Sequence, residues 1–195
     1  MAVQALVFYS SVQALQPACA THSQDVKTMP RTFHITTSAI TLSLALIGTA
    51  ANAQAVRTEK NMSLELANQI AARSVAACAA DGYNVTATVV DRAGTVRAVQ
   101  RADNAGPHTL EASRLKAFTA ASAKNSTLAI MEGAQKNPGA ANLTHIPGYL
   151  LLGGGLPVKA GDEVIGAVGI GGAPGGHLDD KCAQAALEQV QNLLK

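Results

Sequence analysis

The sequence predicts an α+β domain in which helices pack against an antiparallel sheet. Segments with strand character are joined by three-residue turns, too short for the crossover that a parallel pair requires. Helical patterns stand before, between and after those segments. Alanine and glycine dominate a composition that is 48% hydrophobic and 14% charged, which suits close helix–sheet packing and excludes wholesale disorder.

Each element has its own signal. Ser63 is a good N-cap, and Leu64, Ala67, Ile70, Ala71, Ser74, Val75 and Cys78 recur behind it at helical spacing until Asp81-Gly82 stops the helix. Asn84–Asp91 is β-branched and turns through Arg92-Ala93-Gly94 into Thr95–Arg101, a hairpin pattern. A polar loop, Ala102–Thr109, precedes a helix over Leu110–Lys124, and a second helix covers Thr127–Lys136. A Pro/Gly/Asn loop then runs through Pro147. Gly148–Leu152, Leu156–Lys159 and Glu163–Gly171 read as three further strands, separated by Gly153-Gly154-Gly155 and Ala160-Gly161-Asp162. A closing helix over Asp179–Leu194 carries Cys182, Ala186, Val190 and Leu193 on one face.

The first fifty-odd residues stand apart. Arg31 and His34 precede an apolar stretch from Ala39 to Ala51, which ends in Ala51-Asn52-Ala53. A basic region, a short apolar core and a small-x-small site describe a secretory signal peptide over 29–53, with Met29 as its initiator and residues 1–28 as an upstream extension or mis-called start. Cleavage between Ala53 and Gln54 would leave a domain of residues 54–195 in the periplasm or outside the cell. The competing reading is an uncleaved anchor, which wants about 20 predominantly apolar residues where this core is short and diluted by Thr, Ser and Asn.

Composition narrows the function classes. A net charge of +2 gives no basic field for nucleic acid, and with 3% aromatics and no Trp there is no stacking platform for bases or sugars. The chain has no G-x-S-x-G, H-E-x-x-H or Walker A motif, and Asp179-Asp180 reads as a helix start rather than an acid/base pair. Asp91 sits where a hairpin turn favours Asp for local hydrogen bonding. Cys78 and Cys182 each fall on the apolar stripe of a helix, as a disulfide in an exported domain or as two buried thiols.

The stretches VVDRAGTVRAVQRAD, EASRLKAFTAAS, GGGLPVKAGDEVIGAVGIGGA and DDKCAQAAL occur in that order within about residues 63–194. Together they resemble the GlcG/HbpS-like family, also called the haem-degrading domain family. The resemblance implies a profilin-like fold of α/β/α layers with a five-stranded antiparallel sheet, haem as cofactor, and homo-oligomers, octamers among secreted members. It also brings in glycolate-operon members, and with them a small organic acid as ligand.

The residues suggest where a ligand would sit. His108 follows Gly106-Pro107 just before a helix N-terminus, where the helix dipole disfavours protonation and leaves an imidazole lone pair available to iron. Arg101 and Lys116, with Arg114 ranked below them, flank that loop and could pair haem propionates or another carboxylate. Arg101 and Lys116 also coincide with recurring basic positions of the family. The bland alternative for these cations is a solvated face beside Asp103 and Glu111. Gly153-Gly154-Gly155 precedes a strand rather than a helix, so it reads as a closely packed turn able to wall a pocket. His145 and His177 read as exposed. No catalytic residue is identified, and any haem turnover would be iron–peroxide chemistry of bound haem rather than a dedicated enzyme cycle. The leading expectation is an exported haem-binding protein, with His108 on iron and Arg101 and Lys116 on carboxylates, serving haem or iron handling or redox sensing. The alternatives are an enzyme or accessory factor for a small organic acid, and a purely structural oligomeric scaffold.

Overall fold

The computed structural model describes residues 56–195; the upstream extension and the signal peptide expected over 1–53 lie outside the described residues. Among the described residues no helix is long and apolar enough to cross a membrane.

The elements run α1 (Leu64–Ala80), β1 (Thr86–Asp91), β2 (Val96–Arg101), α2 (His108–Ala123), α3 (Thr127–Lys136), a 3₁₀ stretch (Pro138–His145), β3 (Gly155–Ala160), β4 (Glu163–Gly171), α4 (Gly176–Gln189) and a final 3₁₀ turn (Gln191–Leu193). The strands form an antiparallel sheet in the order β2-β1-β4-β3. The central strand β1 is buried almost throughout, because helices cover both faces. Ala87 and Val89 point into the core formed with α1 and α4, which also takes in Leu66, Ile70, Val168 and Ile170. The alternate residues face α2: Val90 packs with Ala117, Ala120 and Ala121, and the Thr86–Thr109 and Thr88–Ser113 hydroxyl pairs are 2.7 Å apart. This is the period of two expected of a strand covered on both faces.

Local chemistry explains the boundaries. The Ser63 hydroxyl accepts the Leu66 amide at 3.1 Å and starts α1. Asp91 Oδ1 accepts the Ala93 and Thr95 amides, both at 3.0 Å, and so shapes the hairpin, with Gly94 at φ +80° completing the turn. Ser126 caps α3 through the Ala129 amide. Cys78 and Cys182, both buried, form a disulfide with Cα atoms 5.3 Å apart, tying the end of α1 to α4 across a separation of 104 residues. In the chain-entropy view a closure of that length is worth about 4–5 kcal/mol.

The structure corrects several expectations. The described residues form four strands, not five. Gly148–Leu152 is not a strand: Gly148 takes φ +86°, the Tyr149 amide closes a turn onto the Ile146 carbonyl, and the Leu150 amide donates to the Thr119 hydroxyl of α2 at 2.9 Å. Two of its backbone donors are thus engaged by a local carbonyl and a side-chain hydroxyl rather than by a ladder. The loop before it contains the 3₁₀ stretch, capped by Asn137. Two helices start earlier than their patterns suggest. His108 is the first residue of α2 rather than part of the preceding loop, and α4 begins at Gly176, which places Asp179 and Asp180 inside the helix.

The layers approach closely because glycines stand where α2 crosses the sheet. A Cβ on Gly169 would lie 2.1 Å from the Ser113 carbonyl oxygen and 2.4 Å from the Ala117 nitrogen, both backbone atoms that cannot yield. Gly133, midway along α3, has open space around it. Gly169→Ala is therefore expected to destabilise the fold by about 1–3 kcal/mol or more, and Gly133→Ala to stabilise it by about 0.5–1 kcal/mol through helix propensity. Urea unfolding of the two variants checks both signs.

Candidate functional site

Lys116 is the largest fully buried side chain among the described residues, 1% exposed. It follows Thr109 and Ser113 on the sheet-facing stripe of α2, and its ammonium sits where β4 hands over to α4. The Nζ donates to the Ile170 carbonyl at 2.8 Å and to Asp179 Oδ2 at 2.8 Å. Asp179 Oδ1 accepts the Ala173 amide at 3.0 Å, and the neighbouring Asp180 accepts the Gly154 amide at 2.5 Å. Four elements thus meet through two carboxylates and one ammonium. A buried ion pair survives only when its remaining hydrogen-bonding capacity is met in this way.

The backbone makes room for the cluster. Gly154 takes φ +116°, and a Cβ there would come within 2.6 Å of the Ile170 oxygen and 2.9 Å of Lys116 Nζ. A Cβ on Gly153 would lie 2.9 Å from the Gly176 carbonyl carbon. The triple glycine is therefore the closely packed turn its sequence suggests, set against the start of α4. Burial pushes the Asp179 carboxyl above its ordinary range, against the pull of Lys116. Burial likewise raises Asp180, opposed by the Gly154 amide.

Beside this cluster lies a cleft of about 190 Å³. One wall is a stripe of α2, His108, Ala112 and Lys116; the other is the glycine-rich 171–176 loop; Leu152 and Asp179 complete it. His108 and Lys116 are thus brought to one site. Arg101 is not among the lining residues. It ends β2, and its guanidinium donates to the Ala105 carbonyl, bracing the loop that leads into α2. Arg114 makes a bidentate exposed pair with Glu111 one helical turn away, at 2.6 and 2.9 Å. His145 and His177 are exposed. The solvated-face reading of Lys116 is corrected: its partner is Asp179, 63 residues away, rather than Glu111 or Asp103. Asp179, read as a helix start, is the residue of this candidate site that sequence reasoning missed, because its place there depends on a contact between two distant elements.

Lys116→Met would leave the Asp179 carboxylate buried without its counter-charge and should cost about 3–5 kcal/mol in urea unfolding. The double variant Lys116→Met/Asp179→Leu should recover much of that loss, since a hydrophobic replacement of a whole buried pair is often neutral. The pH dependence has a defined sign. Carboxyls raised in the folded state hold protons that the unfolded chain releases, so their contribution to stability is full below the ordinary value of 3.8 and is lost as pH rises through the raised values. Asp180→Asn keeps an acceptor for Gly154 and removes one such group. The urea midpoint of the variant should therefore fall less than that of the parent between about pH 4 and pH 7.

The family model described as haem degrading protein HbpS-like matches residues 62–188. Protein GlcG of Escherichia coli strain K12 is 30% identical over 115 residues, which cover 59% of this chain and 84% of GlcG. The crystal structure of HbpS is similar with a TM-score of 0.66 and 37% identity, covering 72% of this chain and 98% of that one. The crystal structure of a PduOC:heme complex, at 24% identity and a TM-score of 0.59 over 66% of this chain and 94% of that one, shares the fold. The α/β/α layering, the order of the motifs and a match over most of the described residues agree: the chain belongs to the HbpS-like haem-degrading protein family.

Proposed function

We propose that this chain is an exported haem-binding protein in which His108 supplies the iron ligand at the mouth of the cleft. The observation that carries this reading is the position of His108, exposed on the first residue of α2 and lining the cleft together with Leu152, which is itself 43% exposed. An imidazole on the first turn of a helix is held steadily and is a common ligand of haem iron. The haem complex of PduOC, which shares the fold, lends support from outside the chain.

The fit to haem is at the mouth and not in the interior. The cleft holds about 190 Å³, below the roughly 300 Å³ at which ligand pockets for drug-sized molecules begin, so a macrocycle would rest outside it against His108 and Leu152. None of Leu110, Leu115, Leu150, Leu151 and Leu156, the leucines of the neighbouring segments, lines the cleft, and Leu156 is buried in the core on the α1 side. Phe118 and Tyr149 pack edge to face on each other at 6.4 Å. Lys116 is engaged by Asp179 and Arg101 by a backbone carbonyl, so iron ligation by His108, rather than propionate pairing, anchors this reading. Haem, when bound, supplies the redox chemistry of its iron; the chain supplies the ligand, the apolar rim and the rigid helix that holds them.

The disulfide supports export, since such bonds persist in oxidising compartments, and there the chain would serve haem or iron handling or redox sensing. Self-association would cover the open edge of the sheet at β2, where Val96 and Val99 are each 42% exposed.

Haemin titration of residues 54–195, followed at the Soret band, should saturate, and His108→Ala should weaken binding by about tenfold or more, that is about 1.4 kcal/mol. Unchanged affinity in the variant would remove His108 as ligand, and the absence of saturation would end the haem reading.

A further inference from the structure

Lys116 is a buried nucleophile that the haem reading leaves unused. Its side chain is 2% exposed and that of Asp179 3%, yet both line the cleft. Every other lysine among the described residues is exposed. Stability alone does not account for a lysine here, since an apolar pair of similar volume often serves a fold as well. The pair is also not sealed in the core. It borders a space of about 190 Å³ walled by small residues, Ala112, Gly171, Gly172 and Ala173 among them.

An amine held against a carboxylate in an enclosed cleft is equipped to condense with a carbonyl compound. Asp179 Oδ2 is 2.8 Å from Nζ and takes one ammonium proton along that hydrogen bond. The freed lone pair adds to the carbonyl carbon, and Asp179 passes the proton to the carbonyl oxygen, giving a carbinolamine. The same carboxylate then takes a second proton from nitrogen and delivers it to the hydroxyl as the C–O bond breaks. One ammonium and one carbonyl compound thus become one iminium ion and one water. The iminium keeps the positive charge opposite Asp179, and the Ile170 carbonyl, 2.8 Å from Nζ, accepts its remaining N–H.

Charge and size select the substrate. The pair is neutral before the reaction and neutral after it, so a carboxylate carried by the substrate would stand beside Asp179 without a counter-charge. The small volume admits a molecule of a few heavy atoms. We propose that Lys116 forms a Schiff base with small neutral aldehydes or ketones, with Asp179 carrying the protons. The reaction requires no haem and no contact with His108.

The test incubates haem-free protein with propanal and sodium cyanoborohydride, which reduces the imine to a stable secondary amine, and locates the added propyl group by peptide mass mapping. Lys116 should be labelled about tenfold faster than any exposed lysine, and pyruvate, a carbonyl compound with a carboxylate, should label it about tenfold more slowly than propanal. Lys116→Met should lose the fast label. Because that variant can fail to fold, Ala112→Leu provides the second check. It narrows the cleft from a half-buried position on α2, leaves Lys116 and Asp179 in place, and should slow labelling of Lys116 about tenfold while exposed lysines react as before. Labelling of Lys116 no faster than that of exposed lysines would overturn the assignment. So would pyruvate reacting there as fast as propanal, or labelling indifferent to Ala112→Leu. Haemin binding is titrated separately, and loss of either result leaves the other standing.

Discussion

The contact between Lys116 and Asp179 is the constraint around which this domain is arranged. An ammonium and a carboxylate taken out of water are each costly, and their mutual attraction offsets that cost only when the surroundings complete their hydrogen bonds. Here completion requires the Ile170 carbonyl at the end of β4 and the Ala173 amide in the loop beyond it. Neither acceptor nor donor can move without loosening the pair. The last strand, the loop after it and the first turn of α4 are therefore located by one polar contact rather than by apolar packing alone.

The same requirement accounts for the run of small residues around it. Gly154 and Gly155 bring β3 against α2 at distances a side chain would forbid, Gly169 does so for β4, and Gly176 meets Gly153 backbone to backbone. Close approach of this kind excludes water from the polar cluster and raises the strength of each interaction inside it. It also explains why the α2 side of the sheet is built, apart from Val90 and Lys116, from alanines, threonines and a serine: the layer is too thin for leucine. The larger apolar side chains collect on the other face with α1 and α4.

Much of this fold was legible in the residues. Ser63, Asp91 and the β-branched run of β1 act within a few positions of themselves, so their signals survive in the bare sequence, and α3 and β4 fall where their patterns place them. Gly148–Leu152 misled because an apolar segment between glycines resembles a strand until the Thr119 hydroxyl claims its amide. His108 was legible as a donor beside a helix start. Lys116 was legible as a cation, though its burial was not: a lysine on a helix ordinarily keeps its head in water, and the carboxylate that keeps this one inside is 63 positions away. Long-range pairing of that kind leaves no mark on local periodicity.

The disulfide has a consequence for the chain as a covalent object. Cys78 and Cys182 bracket all four strands together with α2 and α3. Everything between them forms a closed ring, with most of α1 and the second half of α4 in its tails. A protease that nicks the exposed Asn137–Ala141 stretch opens the ring without releasing a fragment, and both pieces remain joined until the bond is reduced. Cleaved molecules of this protein would therefore run at nearly the mass of intact ones on a non-reducing gel, and only a reductant would reveal how many had been cut.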